Sequence, residues 1–258
     1  MSHPAGDGQV AIAGHHIAKR FGHVQALVDA NVTVRAGEVV ALFGDNGAGK
    51  STFLKTLLGV YQADQGEIIV DGAPVRFETV RSAEAHGIQC VHQDLALALD
   101  LSVIDNIFLG HETMQRGVLR GVGALDRGGM AAQADAALTE MSIRLPSLRI
   151  PVRDLSGGQR QAVAVARAVM WARTAVLLDE PTAALGARQS DIVSQLIRTV
   201  AGRGLGVLVV SHDIPRILKV ADRVVILWRG RTIIDQPAAG LTVPDVVAAM
   251  VGYQKETA

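Results

Sequence analysis

Between Gly44 and Thr52 the chain reads GDNGAGKST, which combines glycines, a lysine and two hydroxyls in the spacing GxxxxGK[ST]. Glycines let a backbone curl tightly around a phosphate and turn its N–H groups inward, and a helix beginning near Lys50 adds the positive end of its dipole. Gly44, Asp45, Asn46, Gly47, Ala48, Gly49, Lys50, Ser51 and Thr52 are therefore candidate phosphate contacts. Lys50 is expected to reach β and γ phosphates, and the Ser51 hydroxyl to ligate Mg2+. About 130 residues later, AVLLDEP from Ala175 to Pro181 sets two carboxylates at the end of an apolar run. Asp179 is suited to a magnesium shell, and Glu180 to orienting and deprotonating an attacking water. Alone, such a pair before a proline is as often a solvated strand end; beside a phosphate loop, the chemical reading prevails. Pro181 ends the strand and biases Glu180 towards an extended conformation. A third segment, Leu155-Ser156-Gly157-Gly158-Gln159, opens a second helix. Ser156 and the two glycines have the makings of an anion site, but on residue chemistry alone a serine-capped helix with a flexible entry is the favoured reading.

The elements that must position these groups are legible as short apolar runs between turn residues: Val39–Phe43, Ala175–Leu178, Val207–Val210 and Val224–Trp228. Runs so short and continuous fit strands buried on both faces of a mostly parallel sheet. Between them lie helical patterns. Phe53, Leu54, Leu57 and Leu58 share one face, and Ile192, Val193, Leu196, Ile197 and Val200 another. The alternation predicts an α/β fold whose phosphate loop follows its first buried strand. Glu67–Val70 and Pro74–Phe77 flank Asp71-Gly72, so part of the first 80 residues is expected to be antiparallel. From Ser102, capped with Asp105, a helix carries Val103, Ile104, Ile107 and Phe108. A loop with Gly117, Gly121, Gly123, Gly128 and Gly129 follows, then helical spacing resumes at Met130, Ala134, Ala137, Leu138 and Met141. These features place a mainly helical insert at about 94–172 and a C-terminal tail at about 236–258.

Composition sets outer bounds. The 258 residues carry 25 basic and 25 acidic side chains, so there is no overall charge with which to hold nucleic acid or anionic lipid. Charged residues make up 19%, below the usual ~25%, and aromatic residues only 3%. The apolar excess is thus aliphatic, suited to tight packing or to surfaces reserved for partners. The single cysteine, Cys90, excludes an intrachain disulfide framework. The opening residues lack the pattern of a secretory signal, and no run approaches the ~18 apolar residues of a membrane span, so a cytosolic chain is expected.

GDNGAGKST, LSGGQ and LLDEP, in this order and at these separations, resemble the nucleotide-binding subunits of ABC transporters, and the likeness runs from about residue 9 to about 235. The resemblance implies a P-loop ATPase core with an N-terminal antiparallel β subdomain and a helical insert. It also implies ATP and Mg2+ as ligands, and a head-to-tail homodimer in which Ser156, Gly157, Gly158 and Gln159 of one copy close over ATP held by the other. Further residues follow singly from it. Gln93 matches the glutamine that contacts magnesium and water, His212 the switch histidine at the γ-phosphate, and Phe21 the aromatic that stacks on adenine. One position departs: most members place a dimer-bridging aspartate where this chain has Gly186. TAALG with that glycine, HQDLAL from His92 and SVIDNIFLG from Ser102 resemble the ATPases of bacterial importers for ribose, xylose and fructose. That subgroup implies transmembrane permease subunits, an indirect periplasmic sugar-binding protein, and a peripheral location on the cytoplasmic face of the inner membrane. Neither nucleic acid nor direct membrane insertion is expected. Soluble ABC ATPases of DNA repair, ribosomes or cytosolic assembly are the rival class.

Other residues have plainer readings. His15 and His16 are adjacent in an apparent strand, where side chains point to opposite faces and cannot share one metal. Gly202 to Gly206 lies between a helix and a strand, the wrong order for a phosphate loop. Trp228 to Arg231 fits a strand and hairpin, and Cys90 a buried strand.

Overall fold

The computed structural model describes residues 8–115, 123–183 and 185–256. Gly117 and Gly121 of the glycine-rich loop, Ala184 of TAALG, the opening residues 1–7 and the last two residues lie outside these. The described chain divides into two compact units, one formed by Met1–Gln93 with Ala172–Ala258, the other by Asp94–Trp171.

The first unit holds one ten-stranded sheet. Its strands are β1 Val10–Phe21, β2 Val24–Arg35, β3 Val39–Phe43, β4 Gln65–Val70, β5 Ala73–Val75, β6 Ile88–Val91, β7 Ala175–Asp179, β8 Gly206–Val210, β9 Arg223–Trp228 and β10 Arg231–Pro237. They lie in the order β5-β4-β1-β2-β10-β9-β3-β8-β7-β6. The stretch from β9 to β6 is parallel throughout, and β1, β2, β4 and β5 pair antiparallel. Every residue of β3, β7 and β8 is buried, which is why their sequences are unbroken apolar runs rather than alternating ones. The Asp71-Gly72 turn joins β4 to β5, and Arg229 and Gly230, both at positive φ, turn β9 into β10.

Helix α1, Lys50–Leu57, has only eight residues and would not persist alone. Phe53, Leu54, Leu57 and Leu58 are each at most 2% exposed, and each contributes roughly 1.5–3 kcal/mol through burial. They join one core with Ile12, Leu27 and Val32 of the antiparallel strands and Leu42, Leu177 and Val210 of the parallel ones. That packing fixes the helix whose first residues are Lys50 and Ser51. Helix α2, Val80–Ala85, follows β5.

The second unit contains α3 Val103–Phe108, α4 Arg127–Glu140 and α5 Gly157–Trp171. At α3 the expected reciprocal capping is half made. Ser102 Oγ accepts from the Asp105 N–H at 3.1 Å, but the Asp105 carboxylate takes the Ser102 hydroxyl at 2.6 Å instead of the backbone. Back in the first unit, α6 Ala187–Gly202, α7 Ile214–Ile217 and α8 Val243–Glu256 complete the helices. Val193, Leu196, Ile197 and Val200 of α6 are buried. Ile192 is 53% exposed, because at 100° per residue it falls at the margin of their stripe.

Candidate functional site

Four parallel strands, adjacent in the order β3-β8-β7-β6, end on the same side of the sheet, where α/β folds place their ligands. Leu42 lies beside Val210, Val210 beside Asp179, and Leu178 beside Val91. Within two residues of those ends come Gly44, His212, Asp179 with Glu180, and Gln93. Residues from distant parts of the sequence are thus brought to one sheet edge. Phe21 closes β1, and Ser156 to Gln159 belong to the other compact unit.

The loop after β3 depends on its glycines. Gly44 has φ 155° and Gly49 φ 105°, and a Cβ on either would stand 2.4 Å from the Leu227 carbonyl oxygen or 2.7 Å from that of Ala26. No side chain fits there. Gly49 is also the N-cap of α1, so the amides of the helix's first turn face the loop. Lys50 Nζ donates to the carbonyls of Gly44 at 2.7 Å and Asp45 at 3.0 Å. Burial weakens its charged form, while Glu180, Asp45 and Asp179 oppose that shift, so an ammonium and three carboxylates share this corner. Ser51 is exposed and Thr52 half-buried at the start of α1.

Asp179 is 8% exposed, and its Oδ1 is buried without a hydrogen-bond partner. Burial, followed by repulsion from Glu180, raises its pKa, against the pull of Lys55, His92 and Lys50. Such an unmet carboxylate oxygen costs free energy and suits a cation ligand. Asp179, the Ser51 hydroxyl and Gln93 are oxygen donors of the kind Mg2+ takes, alongside phosphate oxygens. Among the described residues no three His, Cys, Asp or Glu side chains form a metal cage.

Glu180 corrects the expectation of an extended residue. Its φ is 51°, in the left-handed region that a non-glycine residue adopts at a cost. The local preference set by Pro181 is overridden from outside: the Glu180 N–H donates to the Val210 carbonyl at 2.9 Å. Its Oε2 accepts from the His212 N–H at 3.2 Å and lies 2.7 Å from His212 Nδ1. The end of β8 therefore holds this carboxylate at the mouth of the site, with His212 itself largely exposed.

Phe21 is 39% exposed, as a stacking surface must be. Sequence reasoning missed its neighbours. Tyr61 meets it edge-on at 4.9 Å, and Lys19 stands 5.5 Å from its centroid, tethered by Asp64 at 2.8 Å. Tyr61 lies 40 residues from Phe21 and Asp64 lies 45 from Lys19, so no local pattern reveals either contact. Gln93 is exposed in the turn after β6. Nearby, burial pushes the Cys90 thiol up, with Asp179 adding to the shift, consistent with an unreactive strand residue.

In the second unit Ser156 and Gln159 cap α5 reciprocally. Ser156 Oγ accepts from the Gln159 N–H at 3.3 Å, and Gln159 Oε1 from the Ser156 N–H at 3.0 Å. Gly157 and Gly158 form the first turn of that helix and are not among the positive-φ glycines. Gly186 N-caps α6 without a side-chain bond, and Gln189 Oε1 lies 2.7 Å from where its Cβ would be, so an aspartate there would have to displace Gln189.

The histidine pair departs from the regular strand expected for it. His16 has φ 53° at an irregularity of the β1–β4 pairing, so strict alternation fails. His15 instead bonds Thr33 and His16 bonds Asp29, each at 3.0 Å.

Comparison with known proteins gives one consistent result. The profile of the family described as ABC transporter matches residues 27–183. The fructose import ATP-binding protein FrcA of Rhizobium meliloti is 42% identical over 93% of each chain. The xylose/arabinose import ATP-binding protein XylG of Sulfolobus acidocaldarius is 39% identical over 92% of each. Among solved structures, an ATP-binding cassette of an ABC transporter in its ADP conformation superposes with a TM-score of 0.78 at 22% identity, covering 95% of this chain and 99% of that one.

Proposed function

The chain belongs to the ABC transporter family as an ABC-type ATPase, and from that premise we propose that it powers a bacterial monosaccharide importer. The sugar assignment is supported by the fructose and xylose/arabinose importers to which it is similar over nearly full length. The observation that carries the site is the meeting of Lys50 at the start of α1 with Asp179 and Glu180 at the end of β7, with a buried carboxylate oxygen left for a cation.

In this reading the amides of Gly44 to Thr52 hold the α, β and γ phosphates of ATP. Phe21 stacks on adenine through the face that Tyr61 and Lys19 leave open. Lys50 exchanges carbonyl oxygens of its own loop for phosphate oxygens, a stronger charge-assisted contact. Ser51, Asp179 and Gln93 would hold Mg2+, which supplies positive charge against the β and γ phosphates. Glu180, oriented by His212, accepts a proton from the water that attacks the γ phosphorus, and His212 also faces the γ-phosphate. Ser156 to Gln159 of a second copy complete each site in a head-to-tail homodimer, so ATP binds the closed dimer better than the open one and drives closure.

The chain would act as a peripheral subunit beneath membrane permease subunits, fed by a periplasmic sugar-binding protein. Among the described residues no helix is long and apolar enough to cross a membrane. Leu99, Leu101 and Leu109, each at least 40% exposed, support a permease contact in the stretch around α3. The test is co-purification with a multispan membrane protein, followed by uptake of labelled pentoses and hexoses into vesicles. ATP-dependent uptake that stops with Glu180→Gln is expected. A native complex lacking any membrane protein would overturn the assignment.

A further inference from the structure

The turn that follows Gln93 is built in an unusual way. Leu95 and Ala96, consecutive non-glycine residues, have φ 61° and 45°, both left-handed. A single such residue is uncommon, and two in succession persist only where something outside the turn holds them. What holds them is on α5: Arg167 donates from Nη2 to the Leu95 carbonyl at 3.0 Å and from Nη1 to the Ala96 carbonyl at 2.8 Å. The guanidinium is half-buried, and among the described residues it has no carboxylate partner. Burial accordingly weakens its charged form with nothing to offset it. A cation placed at that cost, using its planar fork on two strained carbonyls, is a clamp rather than a surface charge.

Its position in the chain gives the clamp a task. Leu95 and Ala96 come just after the point where the chain enters the second unit, and Arg167 just before the point where it leaves. Trp171 repeats the tie close by, donating Nε1–H to the Ile107 carbonyl at 2.9 Å. The helix that bears Arg167 is also the one whose first turn carries Gly157 and Gly158. We propose that Arg167 is a positioning residue for ATP hydrolysis: by pinning the Leu95–Ala96 turn to α5, it fixes the loop that presents Gln93 and makes that loop follow any movement of α5. The inference rests on the roles proposed above for Gln93 and Glu180.

The consequence is a split between binding and turnover. Phe21 and Gly44 to Thr52 do not depend on the clamp, so loss of Arg167 should leave ATP affinity within about twofold while lowering turnover about tenfold or more, since misplacing a group that orients the attacking water costs rate. Arg167→Lys keeps the charge but not the fork and is expected to fall between wild type and Arg167→Met. The triple variant Arg167→Met, Leu95→Gly, Ala96→Gly makes the left-handed turn free of strain and should recover much of the lost kcat, which a merely structural role for Arg167 would not allow.

Steady-state hydrolysis of Mg-ATP and equilibrium binding of a fluorescent ATP analogue by the full chain decide the matter. A drop in kcat at near-constant KM, with recovery in the glycine variant, supports the proposal. Unchanged kcat in folded Arg167→Lys or Arg167→Met, a KM that rises as kcat falls, or no recovery with glycine overturns it. Should Arg167→Met fail to fold, the Lys and triple variants decide by the same criteria. A wild-type chain that does not hydrolyse ATP would instead overturn the proposed function, so the two failures are distinguishable.

Discussion

Two glycine-bearing segments, Gly44 to Thr52 and Ser156 to Gln159, each lead into a helix, yet their glycines are there for opposite reasons. In the first, the chain itself requires them: φ is positive at Gly44, Gly47 and Gly49, and Leu227 and Ala26 exclude a side chain from two of these positions. In the second, Gly157 and Gly158 sit in ordinary helical backbone, a place where alanine would be more stable, and Ser156 and Gln159 are occupied in capping each other. Their backbone is not among the described residues at positive φ, so no left-handed turn calls for glycine there. In our proposal the first segment is a phosphate cradle complete within one chain, and the second meets the ATP held by another copy.

The largest effect that would sharpen this contrast is expected from Glu180→Gln, which leaves both segments intact. Hydrolysis should fall by ~10²–10⁴-fold while ATP is still bound, and the chain should accumulate as an ATP-held dimer visible by light scattering. Next, Lys50→Ala should weaken ATP binding by tenfold to a hundredfold, as expected for loss of charge-assisted contacts worth ~1.5–3 kcal/mol, whereas Gly158→Asp should leave the affinity of the monomer for ATP unchanged in calorimetric titration. A Gly158→Asp chain that binds ATP as poorly as Lys50→Ala would break the contrast.

Smaller and opposite in sign are the alanine substitutions. Gly49→Ala should lower stability by at least ~1–3 kcal/mol, or several degrees in Tm, through strain at φ 105° and the clash with Ala26. Gly158→Ala should raise it by up to ~1 kcal/mol. The smallest effect concerns Asp179. Its pKa is raised by burial above the ordinary 3.8, so in the metal-free fold its charge is a burden, and Asp179→Asn should raise Tm by a few degrees in chelator at neutral pH. The gain is full above the raised pKa, shrinks as pH falls through it and the wild-type carboxyl protonates, and is gone below 3.8; melting curves across pH 3 to 8 check this.

What could be read in advance divides along physical lines. Strands β3, β7 and β8 are legible because burial on both faces makes them continuous apolar runs, and the phosphate loop because its glycines answer to local backbone geometry. The conformation of Glu180 is not, since the local rule before proline loses to a hydrogen bond that Glu180 donates to the Val210 carbonyl and one its carboxylate accepts from His212, both some 30 residues away in the sequence. The same holds for Tyr61 beside Phe21, for Asp64 on Lys19, and for Arg167 on Leu95 and Ala96, where side chain and target are 72 and 71 residues apart. Groups held by long-range contacts leave no periodic trace, and in this molecule they cluster around the residues that would do the chemistry.

The claim that the two segments serve one nucleotide from two copies is tested most directly by mixing Lys50→Ala chains with Gly158→Asp chains. Neither variant alone can assemble a complete site, but a mixed dimer pairs one intact phosphate loop with one intact Ser156–Gln159 segment. The account predicts that ATP hydrolysis, negligible in each preparation, returns when they are combined; a mixture as inactive as its components, despite forming mixed dimers, would contradict it.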